Sequence, residues 1–324
     1  MLFVFFISLV VGFSGAVLIE KYGFKLGIID VPNERSSHSD LIPKGGGLGV
    51  LVSFIIVCLI LNISKFLWFP AIFLSLVSFF GDRTEINPKN RLYIQFCCTL
   101  VFLFGTFLTM KLSPFNYLLI FPLSVFIVGS TNFYNFMDGI NGMAGITAVI
   151  SFCFLAWFGI WANVESKYVV LCFSIAFSCL GFLPLNIPSA KVFLGDIGSI
   201  LLGFIFASLT VIFSKNIFDF FCLTGFLFPF YADELSTMLV RFSNGENLSK
   251  PHRKHLYQIL ANEYGIDHWK ISVLYGFIQV FIALISFYLR QVYPELIFPF
   301  LLFSYFLFFI VFFGCNFQLK KLSK

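Results

Sequence analysis

Charged residues are scarce in this chain. Asp, Glu, Lys and Arg make up 11% of its 324 residues, against about 25% in soluble proteins, whereas hydrophobic residues make up 59%. Phenylalanine alone occurs 49 times, and the mean hydropathy is +0.94. A single soluble core cannot bury that much apolar surface, but a lipid bilayer can. The composition therefore excludes a soluble protein and predicts an integral membrane protein.

Cysteine patterns for disulfides or zinc are missing as well. The eight cysteines lie nearly all within apolar runs, and none forms a CxxC motif or a Cys/His metal spacing. We expect them to pack as small hydrophobic side chains. A nucleic-acid partner is not expected for this chain.

Charge-free stretches divide the chain into candidate membrane spans, each of which needs about 20 helical residues to cross the hydrocarbon. Ten stretches carry no Asp, Glu, Lys or Arg, and an eleventh span lies near 216–240; the ten are 1–19, 45–64, 66–81, 92–110, 112–137, 139–164, 168–190, 197–214, 271–289 and 296–319. The first stretch is expected to stay as a helix, because it lacks the basic start and the cleavage site of a signal peptide. We predict an all-α polytopic membrane protein of about eleven transmembrane helices, in one domain over residues 1–324.

Basic residues are distributed unequally between the loops. Because successive spans alternate in direction, the loops form two sets. One set holds sixteen of the 21 Lys and Arg, and the other holds Lys65, Lys111, Lys167, Lys215 and Arg290. Cytoplasmic loops are the ones enriched in Lys and Arg. The larger set is therefore predicted to be cytoplasmic, with the N-terminus outside and the C-terminus in the cytoplasm.

The acidic residues follow the same bias, since thirteen of sixteen lie on the predicted cytoplasmic side. Asp82, Asp138 and Asp196 stand at the ends of spans, and Asp233 and Glu234 lie about two turns inside one. A carboxylate at membrane depth is costly and indicates a functional site. For any one of these residues alone, a cap or an interfacial position is the alternative.

Two of these carboxylates have unusual neighbours. Asn132, Asn135, Asp138 and Asn141 recur at every third residue, which places them on one helical face within an apolar stretch. Asp196 follows a glycine at a predicted helix start, where backbone N–H groups are free. This arrangement suits a phosphate together with a divalent cation.

Two longer loops on the same side add glycine-rich and basic segments. Lys44 precedes three glycines at 45–47, which either cradle an anion or form a flexible linker. The segment 251–258, PHRKHLYQ, contains Arg253 and His255. It serves either to attract anionic lipid or to clamp phosphate oxygens and supply an acid/base histidine.

Carboxylates, basic groups and glycine-rich helix starts around one basin indicate a phosphate ester held through Mg²⁺, or Mn²⁺ in its place. Because the site lies at the membrane, one substrate is lipid-borne and the other comes from the cytoplasm. The residues thus predict a phosphoryl-type transfer onto or from a membrane lipid. The alternative is a polytopic transporter of an anionic or lipid-linked substrate, which would place ionisable groups near the bilayer midplane.

Five segments together are similar to those of a known family. The chain resembles the polyprenyl-phosphate N-acetylhexosamine-1-phosphate transferases of bacteria, and in particular the branch that initiates O-antigen. The matching segments follow the family's order, one per predicted cytoplasmic loop: DVPNERSSHSDLIPKGGG (30–47), GDRTEINPKNRL (81–92), NFYNFMDGINGMAG (132–145), FLGDIGS (193–199) and DELSTMLVR with PHRKHLYQ (233–258).

The resemblance implies a reaction and its components. A sugar-1-phosphate passes from a UDP-N-acetyl-sugar to undecaprenyl phosphate, UMP is released, and Mg²⁺ is required. It also implies a multi-pass protein of the bacterial cytoplasmic membrane that starts a cell-surface polysaccharide such as O-antigen. A homodimer is left open.

The resemblance also assigns roles to individual residues. The expected metal ligands are Asp196 and Asp138, the expected catalytic residues are Asp82, Asp138 and His255, and the expected substrate-binding residues are Lys44, Asn135, Asn141, Asp233 and Arg253.

Two departures from the family pattern qualify these assignments. Gly81 replaces the first carboxylate of the family's Asp-Asp pair, and Tyr257-Gln258 stands where many members have further histidines. The first departure leaves three alternatives open. Asp82 together with Glu85 suffices, or the reaction needs no base because a phosphate dianion is already nucleophilic, or the chain is a catalytically impaired relative. The HRxHxYQ form is more similar to members that act on FucNAc or QuiNAc than on GlcNAc.

Overall fold

The fold is a bundle of α-helices. A computed structural model describes residues 1–32, 37, 40–84, 86–110, 114–247 and 252–322, with the backbone alone at 82–84, 114–116 and 317–322. Within these ranges the α-helices are α1 (Leu2–Tyr22), α2 (Gly47–Ile60), α3 (Lys65–Thr84), α4 (Pro88–Thr109), α5 (Ile120–Phe136), α6 (Met143–Trp161), α7 (Ser166–Phe182), α8 (Asp196–Phe213), α9 (Ile217–Gly225), α10 (Phe228–Ser243), α11 (Leu256–Asn262), α12 (His268–Val292) and α13 (Ile297–Leu322). Two short strands, β1 (Ile29–Asp30) and β2 (Ile42–Pro43), form an antiparallel pair.

The length and apolar character of the helices confirm an all-α polytopic membrane protein. Among the described residues, eight helical segments are long and apolar enough to cross a membrane, and 2 further apolar helices are shorter. The shorter ones are Gly47–Ile60 and Lys65–Gly81, and the second contains Pro70. The count of eleven crossings stays a prediction.

Helix α8 forms the centre of the bundle. It packs against α2, α3, α5, α6 and α9, and nearly all of its residues after Asp196 are buried. In contrast, α1 and α13 expose many large apolar side chains, such as Phe6 and Phe303. Exposed apolar side chains on the outer helices are favourable where lipid surrounds the protein. The central position of α8 fixes the residue at its start relative to five other helices.

The span predicted near 216–240 is broken in the structure. Helix α9 ends at Gly225 and α10 begins at Phe228, with Pro229 in its first turn. A break inside a membrane leaves backbone groups that need partners. Gln279 of α12 supplies one, because its side-chain amide donates to the Phe226 carbonyl at 2.7 Å. The prediction of one continuous helix over this span was wrong. The residue that stabilises the break, Gln279, lies far away in the sequence, so the sequence of the span itself does not reveal the break.

A buried ion pair anchors the start of α9. The Asp219 side chain is 4% exposed, and its carboxylate accepts from Arg290 at 2.6 Å and from the Lys215 backbone N–H at 2.9 Å. The Arg290 guanidinium also lies over the Trp161 ring, 5.1 Å from its centroid. The pair ties α9 to α12 at the end of the bundle opposite the site described below.

Arg290→Gln should lower the melting temperature of the purified protein in detergent. Asp219 would then remain buried without its cation, at a cost of about 2 kcal/mol, below the range for a fully buried pair because Arg290 is 18% exposed. Lys167→Gln breaks an exposed pair with Glu165 and serves as the control. If Asp219→Asn/Arg290→Gln melted lower still than Arg290→Gln, the ion-pair explanation would be wrong.

The loops at the other end of the bundle contact one another. Phe193 N–H donates to the Pro43 carbonyl at 2.9 Å, and the Asn262 side chain donates to Ser37 at 3.1 Å. Ser272 of α12 donates to the Asn141 carbonyl at 2.7 Å. We call this the basic end, because it carries the lysine- and arginine-rich loops. Segments far apart in sequence therefore build one surface there.

Candidate active site

The carboxylate of Asp196 is the point where three distant segments meet. Asp196 is the first residue of α8, and Gly195 before it adopts φ 73°, a conformation that favours glycine. Asn135 at the end of α5 donates to Asp196 Oδ1 at 3.0 Å. Arg91 in the first turns of α4 donates to Oδ2 at 2.9 Å. Both carboxylate oxygens are thus held in a fixed orientation.

The polar face predicted on α5 is divided between two neighbours. Asn132 and Gln95 exchange side-chain amide hydrogen bonds of 2.7 and 3.2 Å, which join α5 to α4. One turn later, Asn135 also donates to Ser199 at 2.9 Å, which joins α5 to α8. Asn135 was predicted to bind substrate, and in the structure it positions the Asp196 carboxylate.

Asp138 follows α5 in the loop to α6 and faces the same region. Its N–H donates to the Asn135 carbonyl at 3.2 Å. Desolvation of the side chain, followed by the negative charges of Asp196 and Asp30, raises the pKa of Asp138 to about 8. The two predicted metal-site carboxylates are therefore close enough to repel each other. Asp30, at the end of β1, is an acidic neighbour that the sequence did not single out.

These residues suit a hard divalent cation. Among the described residues no group of three or more His, Cys, Asp and Glu side chains forms a metal cluster, and the Asp82 side chain lies outside the described part. Mg²⁺ nevertheless keeps several waters and needs only one or two carboxylates beside substrate phosphates. A cavity of about 80 Å³ beside Asp196 has room for such waters. Asp138 and Asp196 together fit Mg²⁺ by donor type, charge and space.

The glycines at 45–47 are neither a free anion cradle nor a flexible linker. Gly45 and Gly46 N–H groups donate to the Phe193 carbonyl at 3.1 and 2.8 Å, and Gly47 N–H donates to the Leu194 carbonyl at 2.9 Å. The donors of a cradle are thus already used. The glycines instead allow the segment to lie against the backbone before Asp196, since a Cβ on Gly47 would overlap Gly198.

Lys44 is brought to the metal-site region by this packing. It lines the 80 Å³ cavity together with Asp196, and its backbone pairs with Phe193. The structure thus places Lys44 beside Asp196, and its role in substrate binding stays a prediction. The amino group of Lys44 is a cation that can reach the cavity.

A larger open cavity borders the site on the side of Asn141. Its volume is about 460 Å³, and its polar lining includes Glu20, Asp40, Lys191 and His268. Asn141 lines it and donates to the Pro188 carbonyl at 3.2 Å. Both charge signs are present, as a polar substrate would require.

Asn186 is a positioning residue that the sequence did not reveal. Its side-chain oxygen accepts from Gly142 N–H at 2.6 Å, and its amide donates to the Val192 carbonyl at 2.9 Å. Gly142 adopts φ 85°, a conformation that favours glycine, and the loop after Asp138 turns at this residue. The hydrogen bond from Gly142 N–H to Asn186 stabilises the turn. The two loops that flank the site are joined by one buried side chain.

Comparisons with known proteins find a matching family model and several relatives. The model of glycosyl transferase family 4 matches residues 64–214, a range that includes Arg91, Asn135, Asp138 and Asp196. A Bacillus subtilis (strain 168) protein called "Probable undecaprenyl-phosphate N-acetylglucosaminyl 1-phosphate transferase" is 26% identical over 304 residues, which cover 87% of this chain and 82% of the relative.

Two further relatives come from other bacteria. The undecaprenyl-phosphate alpha-N-acetylglucosaminyl 1-phosphate transferase of Thermotoga maritima is 28% identical over 280 residues, 85% of this chain and 87% of the relative. The phospho-N-acetylmuramoyl-pentapeptide-transferase of Prochlorococcus marinus (strain MIT 9312) is 26% identical over 318 residues, 83% and 86% of the two chains.

The family model and these relatives confirm the resemblance of the motifs to the polyprenyl-phosphate N-acetylhexosamine-1-phosphate transferases. The chain is an enzyme, a sugar-phosphate transferase. The transporter alternative has no support in these relatives.

In this transferase Asp233 was predicted to bind substrate, but its carboxylate is buried and accepts hydrogen bonds from the protein itself. Its side chain is 0% exposed, and its carboxylate accepts from the Leu256 and Tyr257 N–H groups at 2.8 and 3.2 Å and from the Tyr275 hydroxyl at 2.7 Å. It therefore accepts hydrogen bonds from the first N–H groups of α11, where a negative charge stabilises the start of a helix. The structure favours a positioning role for Asp233.

His255 of the transferase is enclosed by the same cluster. Its side chain is 4% exposed, with Nδ1 3.6 Å from Asp233 and Nε2 3.4 Å from Glu234. Burial acts to lower the pKa of His255, but the adjacent Asp233 carboxylate, and then the charge of Glu234, outweigh it and raise the pKa above 6.5. The structure favours a protonated, positioning histidine over one that exchanges protons with substrate.

Tyr257 connects this cluster to the Asp138 loop of the transferase. Its hydroxyl donates to the Phe136 carbonyl at 3.0 Å, and its ring stacks on His255 at 5.6 Å between centroids. Gly139 leaves room for the Tyr257 hydroxyl, because a Cβ there would overlap it. The tyrosine at this departure from the family pattern thus has a structural function.

Two predicted residues of the transferase are not shown at the Asp196 site. Arg253 is 44% exposed and donates to Glu263 at 3.3 Å. Asp82 lies in the last turn of α3, but its side chain is outside the described residues. The predicted roles of both residues stay predictions.

His255→Gln should reduce the pH dependence of the transferase's stability. A folded-state pKa above the unfolded value means that the charged ring stabilises the fold below about pH 6.5, and that this contribution is lost as the pH rises through the folded-state pKa. From about pH 6 to about pH 8, the melting temperature of the wild type should fall more than that of His255→Gln.

His252→Gln is the control of opposite sign. Desolvation, and then the charge of His255, lowers the pKa of His252 to about 4, so its contribution is present above the unfolded pKa and lost at lower pH. Parallel curves for the wild type and His255→Gln would contradict the protonated state of His255.

Proposed function

We propose that the transferase moves an N-acetylated sugar-1-phosphate from a UDP-sugar to undecaprenyl phosphate and releases UMP. The observation that carries this proposal is the convergence of Asp138 and Asp196 at the start of α8, with Asn135, Lys44 and Arg91 around them. Paired carboxylates beside cations suit a diphosphate with a divalent metal. Two of the relatives are named for N-acetylglucosaminyl 1-phosphate transfer and undecaprenyl phosphate.

A groove in the apolar surface supports a lipid acceptor. Its volume is about 670 Å³, and it lies between α5, α10 and α13, lined by residues such as Phe126, Phe133, Tyr231 and Leu302. Phe133 lies only two residues before Asn135 on α5. One helix therefore carries both the groove and a residue that touches Asp196, so a polyprenyl chain in the groove would bring its phosphate toward the carboxylates.

The 460 Å³ cavity supports a polar donor that arrives from the basic end. Asn141 lines it, three residues after Asp138, and Lys191 adds a cation. Phosphate oxygens favour such cations, and sugar and uracil groups offer hydrogen bonds to amides. We assign this cavity to the UDP-sugar, in agreement with the predicted role of Asn141.

The proposed reaction is a direct displacement at phosphorus. An oxygen of the lipid phosphate attacks the β-phosphorus of the UDP-sugar, and the bond from that phosphorus to the bridging oxygen breaks, so UMP leaves with the electron pair. Mg²⁺ bound at Asp138 and Asp196 would neutralise the diphosphate charge. Lys44 supplies a further positive charge where negative charge develops on the leaving group. Asn135 keeps Asp196 oriented.

Gly81→Asp tests whether this reaction needs a second carboxylate as a base. A Cβ on Gly81 would lie 3.0 Å from the end of the Ile86 side chain, which has room to shift, so the substitution is sterically tolerable. Because a phosphate dianion is itself nucleophilic, we expect the rate of UMP release to change by less than about 3-fold. Gly81→Ala is the control for the backbone. A rise of tenfold or more in Gly81→Asp alone would show that this chain lacks a needed carboxylate.

We also propose the setting of the reaction. The basic end faces the cytoplasm of a bacterium across its inner membrane, where UDP-sugars are available, and the product starts a surface polysaccharide such as O-antigen. The sequence PHRKHLYQ favours a 6-deoxy sugar, FucNAc or QuiNAc, over GlcNAc.

A substrate panel tests the proposed function. The purified protein in lipid nanodiscs receives undecaprenyl phosphate, Mg²⁺ and one of UDP-GlcNAc, UDP-GalNAc, UDP-FucNAc or UDP-QuiNAc, and UMP and the lipid-linked sugar are measured. We expect both products in equal amounts with at least one donor. UMP without lipid-linked sugar would indicate hydrolysis, and neither product with any donor would contradict the proposal.

A further inference from the structure

Arg91 occupies a position at Asp196 that a metal ion would share. Its Nη2 lies 2.9 Å from Asp196 Oδ2, and the two side chains are 31% and 26% exposed. No role was predicted for Arg91 from the sequence, because it lies among other polar residues in a short loop and the first helical turn. Arg91 nevertheless contacts Asp196, one of the two expected metal ligands.

The backbone of Arg91 is held firmly while its side chain has room to move. Asn87 caps α4, and its side chain accepts from Lys89 N–H at 3.0 Å. One turn beyond Arg91, the amide pair of Gln95 and Asn132 fixes α4 against α5. An arginine with a fixed backbone and a side chain one-third exposed can change partners without any helix moving.

Arg91 neutralises the charge of the Asp196 carboxylate that it contacts at 2.9 Å. Asp138 and Asp30 place further carboxylates in the same region. A divalent ion at the same carboxylate would be repelled by the guanidinium and would provide the charge that Arg91 now provides. Binding of the ion and the Arg91–Asp196 contact therefore oppose each other.

We propose that Arg91 is a displaceable counter-ion of Asp196, which gives up the carboxylate when a divalent cation binds and then binds a phosphate oxygen of a substrate. The proposal rests on the proposed function, because it takes that reaction's metal and phosphates as given. A guanidinium is well suited to the second partner, since its N–H groups match the geometry of phosphate oxygens. One residue thereby couples metal binding to substrate binding.

Metal affinity is the first test. Mn²⁺, which is paramagnetic, replaces Mg²⁺, and its binding to the detergent-solubilised protein is measured by electron paramagnetic resonance without substrates. Arg91→Gln should bind Mn²⁺ about five- to tenfold more tightly than the wild type, the size of one charge-assisted contact. Arg91→Lys keeps the charge and should stay close to the wild type. Lys270→Gln, which breaks an exposed pair with Asp267, should match the wild type and is the control.

Turnover is the second test, and it must change in the opposite direction. Although Arg91→Gln binds the metal more tightly, its kcat/KM should fall at least about tenfold, because the substrate phosphate loses a partner. A rise in KM for undecaprenyl phosphate would assign the contact to the lipid, and a rise in KM for the UDP-sugar would assign it to the donor. Arg91→Lys should recover part of the loss.

The results that would overturn the proposal are distinct from those that would overturn the function. If Arg91→Gln bound Mn²⁺ as weakly as the wild type or more weakly, Arg91 would only orient Asp196 and would not compete with the metal. If both KM values and kcat stayed at wild-type levels, Arg91 would not bind a phosphate. A wild-type protein that neither binds Mn²⁺ nor releases UMP would instead refute the proposed function itself.

Discussion

Asp196→Asn should lower the rate of UMP release by at least about 10³-fold while the folded protein remains in the membrane. The substitution removes the negative charge from the residue that joins α4, α5 and α8 through Arg91 and Asn135. An asparagine keeps the size of the side chain and accepts a hydrogen bond from Arg91. The variant should therefore lose catalytic activity and not stability, so that the rate falls while the melting temperature stays unchanged or rises slightly.

The matched control is Asp267→Asn. Asp267 also stands at the start of a helix at the basic end, where its side chain is 58% exposed and pairs with Lys270. We expect its turnover to stay within about 2-fold of the wild type, as for most exposed sites. Near-normal turnover of Asp196→Asn, with Asp267→Asn unchanged, would exclude Asp196 as a metal ligand.

Asp233→Ala should destabilise the protein by about 3 kcal/mol or more, because it leaves several buried donors without an acceptor. The donors are the two N–H groups at the start of α11, the Tyr275 hydroxyl and the Thr237 hydroxyl. Helix α11 carries Tyr257, which contacts the loop of Asp138 through Phe136. Turnover should fall with stability, and a lower melting temperature in detergent measures the structural part.

Tyr275→Phe provides the graded comparison for Asp233. It removes a single 2.7 Å hydrogen bond to Asp233 and should cost about 1 kcal/mol, with turnover close to that of the wild type. The alternative for Asp233 is the substrate contact that the sequence predicts. In that case Asp233→Ala would lose turnover without any fall in melting temperature, and that result would contradict the positioning role.

The sequence was informative wherever the signal is local. Charge-free runs predict the helices, because a long run of apolar residues is by itself a sign of a segment that lies in the membrane. The spacing of Asn132, Asn135 and Asp138 predicts a polar helix face, and the structure turns that face toward Gln95, Asp196 and the site. The glycine before Asp196 predicts the start of α8.

The remaining features depend on contacts between residues far apart in the chain. Gln279 provides a partner for the break at Phe226 from 53 residues away, and Arg91 reaches Asp196 across 105 residues. Neither residue is unusual within its own segment. The glycines at 45–47 were interpreted as an anion cradle or a flexible linker, yet their N–H groups donate to the carbonyls of Phe193 and Leu194. A local sequence pattern shows which hydrogen-bond donors a segment contains. It does not show which acceptors the fold brings close to those donors.

We expect transfer to the lipid to need one divalent cation at Asp138 and Asp196, and removal of the metal with a chelator is the test. The purified protein is treated with EDTA, desalted, and supplied with undecaprenyl phosphate and the donor found active in the panel. We predict no UMP release above that of Asp196→Asn, and full recovery when Mg²⁺ is added to the wild type but not to the variant. UMP release at the untreated rate in the presence of excess EDTA would show that the transfer needs no divalent cation.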